Sequence, residues 1–398
     1  MITQRKRIKW ISVVALLALL AVACGDDETA ETQATQATAA PTTTAAPTTT
    51  AAPATTAAEV TETTAAPTTT AAPTTTAAPA PAEPTDIRLR LSWIADPGFM
   101  GLYEAVEQGF FDDENINVTI EHGGPNVPNS TQVVAGGAAD IGVTDPFSLA
   151  LAMSEGADFV VFGVRMQSDP TGIGSLCDNP INSPADIAGK KIAGGTTDGF
   201  LIDALLTANG LEPGTYELVP AGWDMSPVVD GTVDGMLIWV NSHPLPLNAA
   251  GICNVSWTFS EMGLPAYQDL FFTTTEFMAN NREAIVGFLR ANIRGWEYAF
   301  NDPAHAIDLV MNTWGGVDLG LILEDQFPIH EAQIPLMTSP LTDEKGLFWF
   351  DLDQIQNIQN GYVITATGLA SIPDAADVYD ISILESAYEG CGSSLLDC

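Results

Sequence analysis

From residue 86 onward, the chain switches repeatedly between two hydrophobic periods. Ile87, Leu89 and Leu91 alternate with Arg88 and Arg90, the period of two that marks a half-buried strand. The spacing then becomes helical from Phe99 until Gly109 stops it, as glycine commonly does at a helix end. Asn117–Ile120 reads as a strand, and Asn129 or Ser130 caps a helix running to Ala135. Ile141–Val143 is a strand, Pro146–Glu155 a helix with proline in its first turn, and Phe159–Val164 a wholly apolar strand. After Arg165 the pattern restarts, with strands at Lys191–Ala193, Tyr216–Val219, Met236–Trp239 and Val255–Thr258. Helices are predicted between them at Phe200–Asn209, Ser226–Val229 and Pro244–Ala250. Leu270–Thr274 reads as a returning strand. Arg282–Phe300, Pro303–Thr313, Leu319–Gln333 and Asp351–Thr365 read as helices. Continuous apolar strands alternating with helices predict an α/β fold with largely parallel sheets.

A weak internal echo suggests two lobes. Val133–Asp145 and Pro227–Asn241 each run short helix, Gly-x-x-Asp, apolar strand, then a polar residue. The repeated acids, Asp140 and Asp234, are expected to bind their own backbone at the helix-to-strand turn. Ligands of open α/β sheets sit at the carboxyl ends of strands, so Asp145 and Asn241 become candidate ligand residues facing a shared cleft.

The amino-terminal part has a different composition. Arg5, Lys6, Arg7 and Lys9 precede an apolar run from Trp10 to Ala23. That run is shorter than the ~20 residues a membrane span needs and fits a signal peptide. It ends Leu20-Ala21-Val22-Ala23-Cys24, which resembles a lipobox with Cys24 as the lipidated residue, although Ala21 stands where leucine is commoner. Residues 1–24 are thus read as a lipoprotein leader. Residues 25–85, dominated by Thr, Ala and Pro in TTTAAP repeats, lack the means to bury a core and read as a disordered tether. A proline-rich chain of this length reaches on the order of 150 Å.

Formal net charge is −37, and four of the basic residues lie in the leader. So acidic a chain is not a nucleic-acid binder, which requires a basic surface. Four cysteines follow Cys24. In an exported chain, an even number suggests two disulfides, with Cys391 and Cys398 pairing near the end and Cys177 with Cys253. Their spacing does not fit paired zinc ligands.

Several segments together resemble the solute-binding proteins of ABC importers. They are LSWIADPGFMGLYEAVEQGFFDDENINVTIEHGGPN, VVAGGAADIGV, MQSDPTGIGSLCDNPINSPADIAGKKIAGG and FLRANIRGWEYAF. The branch resembled carries thiamine pyrimidine precursors and riboflavin. It is similar to the fungal thiamine-pyrimidine synthases and, more distantly, to nitrate, sulfonate and taurine binders. The resemblance covers most of residues 87–300. It implies a periplasmic-binding-protein-like fold of two α/β lobes with hinge strands and an interlobe ligand cleft. Residues 86–165 and 270–398 would form lobe I, and 166–269 lobe II. It also implies an extracytoplasmic monomer held at the membrane by lipid, a small-molecule solute, permease and ATPase partners, and no cofactor.

The resemblance gives roles to residues flanking the loops. Trp93 and Phe99, on either side of Ala95-Asp96-Pro97-Gly98, would be aromatic plates for a flat heterocycle, with core capping as the alternative. Asn126 follows Gly123-Gly124-Pro125, where glycine lets backbone approach a ligand. Gln167 to Thr171 matches a hinge segment that also reaches ligand. Thr196, Thr197 and Asp198 precede a helix whose free N–H groups suit a carboxylate or carbonyl oxygen, with Asp198 as a simple N-cap the alternative. Trp239, Asn241 and His243 fall in a segment where the family commonly has glutamate, and Ser242-His243 stands in its place. Arg165 is the only Lys or Arg between Arg90 and Lys190, and none occurs from 192 to 281. Oxyanions favour arginine clamps, so a neutral or weakly cationic aromatic solute fits better than nitrate or sulfonate. Synthase chemistry of the fungal kind is disfavoured by the scattered cysteines and by only Lys190, Lys191 and Lys345 beyond the leader. An adhesin or receptor using the same fold is a further alternative.

Overall fold

Two five-stranded sheets of matching topology organise the chain. They are seen in a computed structural model that describes residues 83–398 apart from 125, 126, 197, 223 and 397. Cys24, the tether, Asn126 and Thr197 therefore lie outside the described residues. The first sheet contains β1 (Thr85–Arg90), β2 (Ile116–Glu121), β3 (Ile141–Thr144), β4 (Phe159–Met166) and β10 (Gln268–Thr274). The second contains β5 (Thr171–Leu176), β6 (Lys191–Gly194), β7 (Glu217–Pro220), β8 (Gly235–Trp239) and β9 (Asn254–Thr258). The orders are β2-β1-β3-β10-β4 and β7-β6-β8-β5-β9. In each, the strand in fourth place is the one that has just crossed from the other sheet. It runs antiparallel to its neighbours, whereas β1–β3 and β6–β8 pair in parallel. The two crossings are joined to one another where the Asp169 N–H donates to the Ala266 carbonyl at 2.9 Å.

The sequence echo has a common geometry. Gly137 and Gly231 both sit at φ +71°, and the aspartate three residues later immediately precedes the next strand in each lobe. Contrary to expectation, Asp140 and Asp234 do not bind their own turns. Asp140 accepts the Arg88 N–H of β1, and Asp234 the Lys191 N–H of β6, both at 2.8 Å. Each acid also donates its own N–H to the carbonyl of the same residue at 2.8 Å, so backbone and carboxylate together fasten the start of one parallel strand to its neighbour.

Sequence reading missed β5, because Gly172 and Gly174 dilute its apolar pattern. Those glycines are what allow the strand to lie there. A Cβ on Gly172 would overlap the Trp257 carbonyl of β9, and one on Gly174 would press on Met225 and Ile238. The predicted Arg282–Phe300 helix is the main segment of a longer one, Thr275–Asn301, which kinks at Asn281 (φ −134°, ψ 30°) just before Arg282. Its buried face (Ile285, Phe288, Leu289, Trp296) joins Phe162, Phe271 and Phe272 in the first core.

The expectation that everything after residue 270 belongs to the first lobe also needs correction. The helix Asn360–Thr367 places Tyr362, Val363 and Ala366 in a core with Ile173, Ile202 and Leu205 of the second lobe and Phe147 and Ala150 of the first. Just before it, Gln359 accepts the Tyr267 N–H at 2.8 Å. The tail is thus a third strap across the two sheets, laid there by its apolar face. Cys177 is joined to Cys253, beside the β5–β9 pair, and Cys391 to Cys398.

Candidate functional site

The loop after β1 is folded by its own sequence. Asp96 Oδ1 accepts the Gly98 N–H at 2.7 Å, capping a short turn that opens with Pro97. The Trp93 carbonyl is held by the Gly123 N–H at 2.8 Å. Any Cβ at Gly123 would collide with Ser92 backbone, so this glycine serves close packing against the Trp93 loop. Opposite, the turn after β8 is closed by Ser242 and His243 N–H groups, both donating to the Trp239 carbonyl at 3.1 Å. The Trp239 N–H donates to His243 Nδ1 at 3.0 Å, and burial holds the imidazole below its usual pKa.

These two loops meet in a cleft with three adjoining cavities, all walled by Trp239. The largest, about 540 Å³, lies between Trp93 and Asp96 of the first lobe and Asp224, Met225, Val229, His243 and Leu247 of the second. A second, about 250 Å³, lies at the ends of β6 and β8 with Thr171, Gly195, Asp198 and Leu201. A third, about 170 Å³, runs beneath Trp93, Asp96 and Phe99 to Arg165, Asn241, Asp269 and Gln326. Trp93, Phe99, Thr171, Asp198, Trp239, Asn241 and His243 are thus brought together. Phe99 is itself buried, so it forms cleft floor more than a free plate.

Three expected ligand residues do not line these cavities. Asp145 caps the helix Pro146–Ser154, its Oδ1 accepting from Phe147 N at 2.9 Å and Ser148 N at 2.8 Å. Gln167 is engaged at both ends of its amide, donating to the Trp349 carbonyl at 2.8 Å and accepting from Ser339 Oγ at 2.9 Å. Thr196 stands in the turn beside Gly195. Asp198 accepts the Gly195 N–H at 2.9 Å, which places an acid where an anion would otherwise meet the helix amides.

Among the described residues, Arg165 is the single Lys or Arg lining the three cavities, and it is already engaged. It forms a buried ion pair with Asp269, through Nη2 and through Nε at 2.9 Å, while Nη1 donates to Gln333 Oε1 at 3.1 Å. Asp96 beside it has its carboxyl pushed up to about 6, chiefly by burial, with the Gly98 amide and Arg165 opposing. The local balance is therefore two carboxylates to one guanidinium. Sequence reasoning missed Asp96, Gln326 and Gln333. Asp96 stands in a turn motif that accounts for it locally, and the two glutamines carry no local signal because distant folding puts them here. Among the described residues, no group of three His, Cys, Asp or Glu side chains is placed to hold a metal ion.

Two sheets exchanging strands around a walled cleft define the periplasmic-binding-protein class of fold. The alkanesulfonate-binding protein of Xanthomonas axonopodis pv. citri superposes with a TM-score of 0.52 at 15% identity, covering 75% of this chain and 100% of the other. Within that class, the chain belongs to the NMT1/THI5-like family, which matches residues 96–306. Two relatives bracket it. One is the 4-amino-5-hydroxymethyl-2-methylpyrimidine phosphate synthase of Legionella pneumophila, 26% identical over 56% of this chain and 72% of the relative. The other is the formylaminopyrimidine-binding protein of Halalkalibacterium halodurans, 22% identical over 66% and 79%.

Proposed function

We propose that the protein is an extracytoplasmic solute-binding lipoprotein that captures a small aromatic heterocycle, of the pyrimidine-precursor or riboflavin type, and delivers it to the permease and ATPase of an ABC importer. The observation carrying this reading is the pair of indoles, Trp93 and Trp239, contributed by opposite lobes to one cavity of about 540 Å³. Such a chamber suits a flat ring, and aromatic pairing adds about 0.5–1.5 kcal/mol beyond burial. The neutralised Arg165 argues against a sulfonate or nitrate. Residues 1–24 would be the leader, Cys24 the lipid-bearing residue, and 25–85 the tether of a monomer. Calorimetry against a pyrimidine, thiamine, riboflavin, taurine and nitrate tests the ligand class. Micromolar or tighter binding of one heterocycle is expected, and tight taurine binding overturns the reading.

The synthase-named relative keeps an enzymatic reading open to test. The described lysines argue against it. Lys190 bonds to Asn179, Lys191 lies 3.8 Å from Glu217 and Lys345 3.5 Å from Glu344, and none lines the cleft cavities. Incubation with pyridoxal phosphate and iron, followed by mass spectrometry, should leave every lysine unmodified.

A further inference from the structure

The smallest of the three cavities differs from the others in what it offers a guest. Gln326, only 3% exposed, comes from the helix Leu323–Met337. Its Nε2 donates to the Ile322 carbonyl at 2.7 Å, which fixes the orientation of the amide. The other end, Oε1, is buried with no hydrogen-bond partner. Asn241, 6% exposed and reaching the same cavity from the opposite lobe, likewise leaves Oδ1 buried and unpartnered. Asp96 adds a carboxylate whose one described amide partner is Gly98. The neighbouring donors of Arg165 and Gln333 are engaged elsewhere. Arg165 is held by Asp269 and Gln333, and Gln333 Nε2 donates to the Pro97 carbonyl at 3.1 Å. A buried acceptor left without a donor is destabilising, and two in one cavity mark a place where a donor is expected.

We propose that Gln326, with Asn241 and Asp96, forms a donor-reading subsite that takes an exocyclic amino group carried by the ring lodged between Trp93 and Trp239. The subsite rests on the heterocycle reading above and narrows it to rings bearing N–H donors. Gln326 lies beyond the family-matched residues 96–306, so this specificity element belongs to the carboxyl-terminal tail. Its geometry follows from packing. The helix that carries Gln326 also carries Gln333, which ties it to the Trp93 loop through Pro97 and to the hinge through Arg165.

The test uses two probes on the exported full chain. They are 4-amino-5-hydroxymethyl-2-methylpyrimidine and the same ring lacking the amino group. Wild type is expected to prefer the aminated ring by about 10- to 100-fold, since sites built to bond an N–H discriminate strongly against its absence. Gln326→Met should shrink that preference to about threefold or less. Gln326→Asn keeps an amide but withdraws its oxygen by one methylene, and it should lose the preference in the same way if the methionine variant folds poorly. Equal binding of the two rings by wild type, or full preference in both variants, overturns the subsite alone. Binding of neither ring overturns the pyrimidine reading and the subsite together.

Discussion

The ends of β3 and β8 are the same device put to different uses. Both strands follow a glycine at φ +71° and an aspartate that accepts a neighbouring strand's amide. They diverge at the exit. Asp145 comes five positions after Asp140 and is followed at once by Pro146, which starts a helix. Its carboxylate is consumed by Phe147 and Ser148 amides. Asn241 comes seven positions after Asp234. The longer strand carries Trp239 out to the cleft, and the turn Trp239–Pro244 postpones the helix to Leu245. Asn241 therefore has no helix end to cap, and its oxygen is left for something else. A polar residue at a strand end becomes available to ligand only when the next helix does not claim it first.

The largest way to break this contrast is to remove what the longer strand delivers. Trp239→Ala strips a wall common to all three cavities. Buried aromatic anchors cost about 2–4 kcal/mol when truncated, so affinity for the solute should fall at least about 100-fold by calorimetry. Retained affinity would mean that Trp239 is a bystander. Its melting temperature should move little, because the ring is only partly buried.

A second test concerns charge in the crossing between the two sheets. Asp169 lies in the crossing between sheets, buried, with its Oδ1 accepting the Thr171 N–H at 2.8 Å. Burial pushes its carboxyl up to about 6, Thr171 opposes, and Asp145 and Asp269 add to the rise. Between about pH 4 and 6 the folded chain therefore holds a proton that the unfolded chain has released. Stability falls as pH rises through that window and stays lower above it. Asp169→Asn keeps an acceptor for Thr171 and removes the ionisation. Denaturation at pH 7.5 should show the variant more stable by about 2 kcal/mol, and at pH 3.5 the gain should vanish. A variant less stable at both pH values would mean that the carboxylate holds the hinge together.

Much of this architecture was legible because it is written in short-range pattern. Apolar runs at Phe159–Val164 and Met236–Trp239, glycine stops and proline starts gave the alternation, and the repeated Gly-x-x-Asp pointed to two lobes. The site was legible where an aromatic stood at a strand exit, as Trp93 and Trp239 do. What escaped depends on contacts distant in sequence. β5 is glycine-rich because β9 lies against it, which no local window shows. Asp145 looked like Asn241 because the claim of Pro146–Ser154 on its carboxylate is a matter of cap geometry. Gln326 reaches the cleft only because the tail folds back across it.

The smallest expected effects discriminate between the two exits most directly, since each substitution should move one observable and leave the other still. Asp145→Ala removes an N-cap, which costs about 1 kcal/mol and should lower the melting temperature by roughly 2–4 °C in a domain of this size, with solute affinity unchanged. Asn241→Leu removes a buried acceptor that has no hydrogen-bond partner within the protein, so stability should hold or rise by up to about 1 kcal/mol. Solute affinity should instead fall about tenfold, the worth of one hydrogen bond made only in the complex. If Asp145→Ala weakened binding and Asn241→Leu merely destabilised the fold, the exits would have exchanged roles. The acceptor-lined cavity would then have no claim on the ligand.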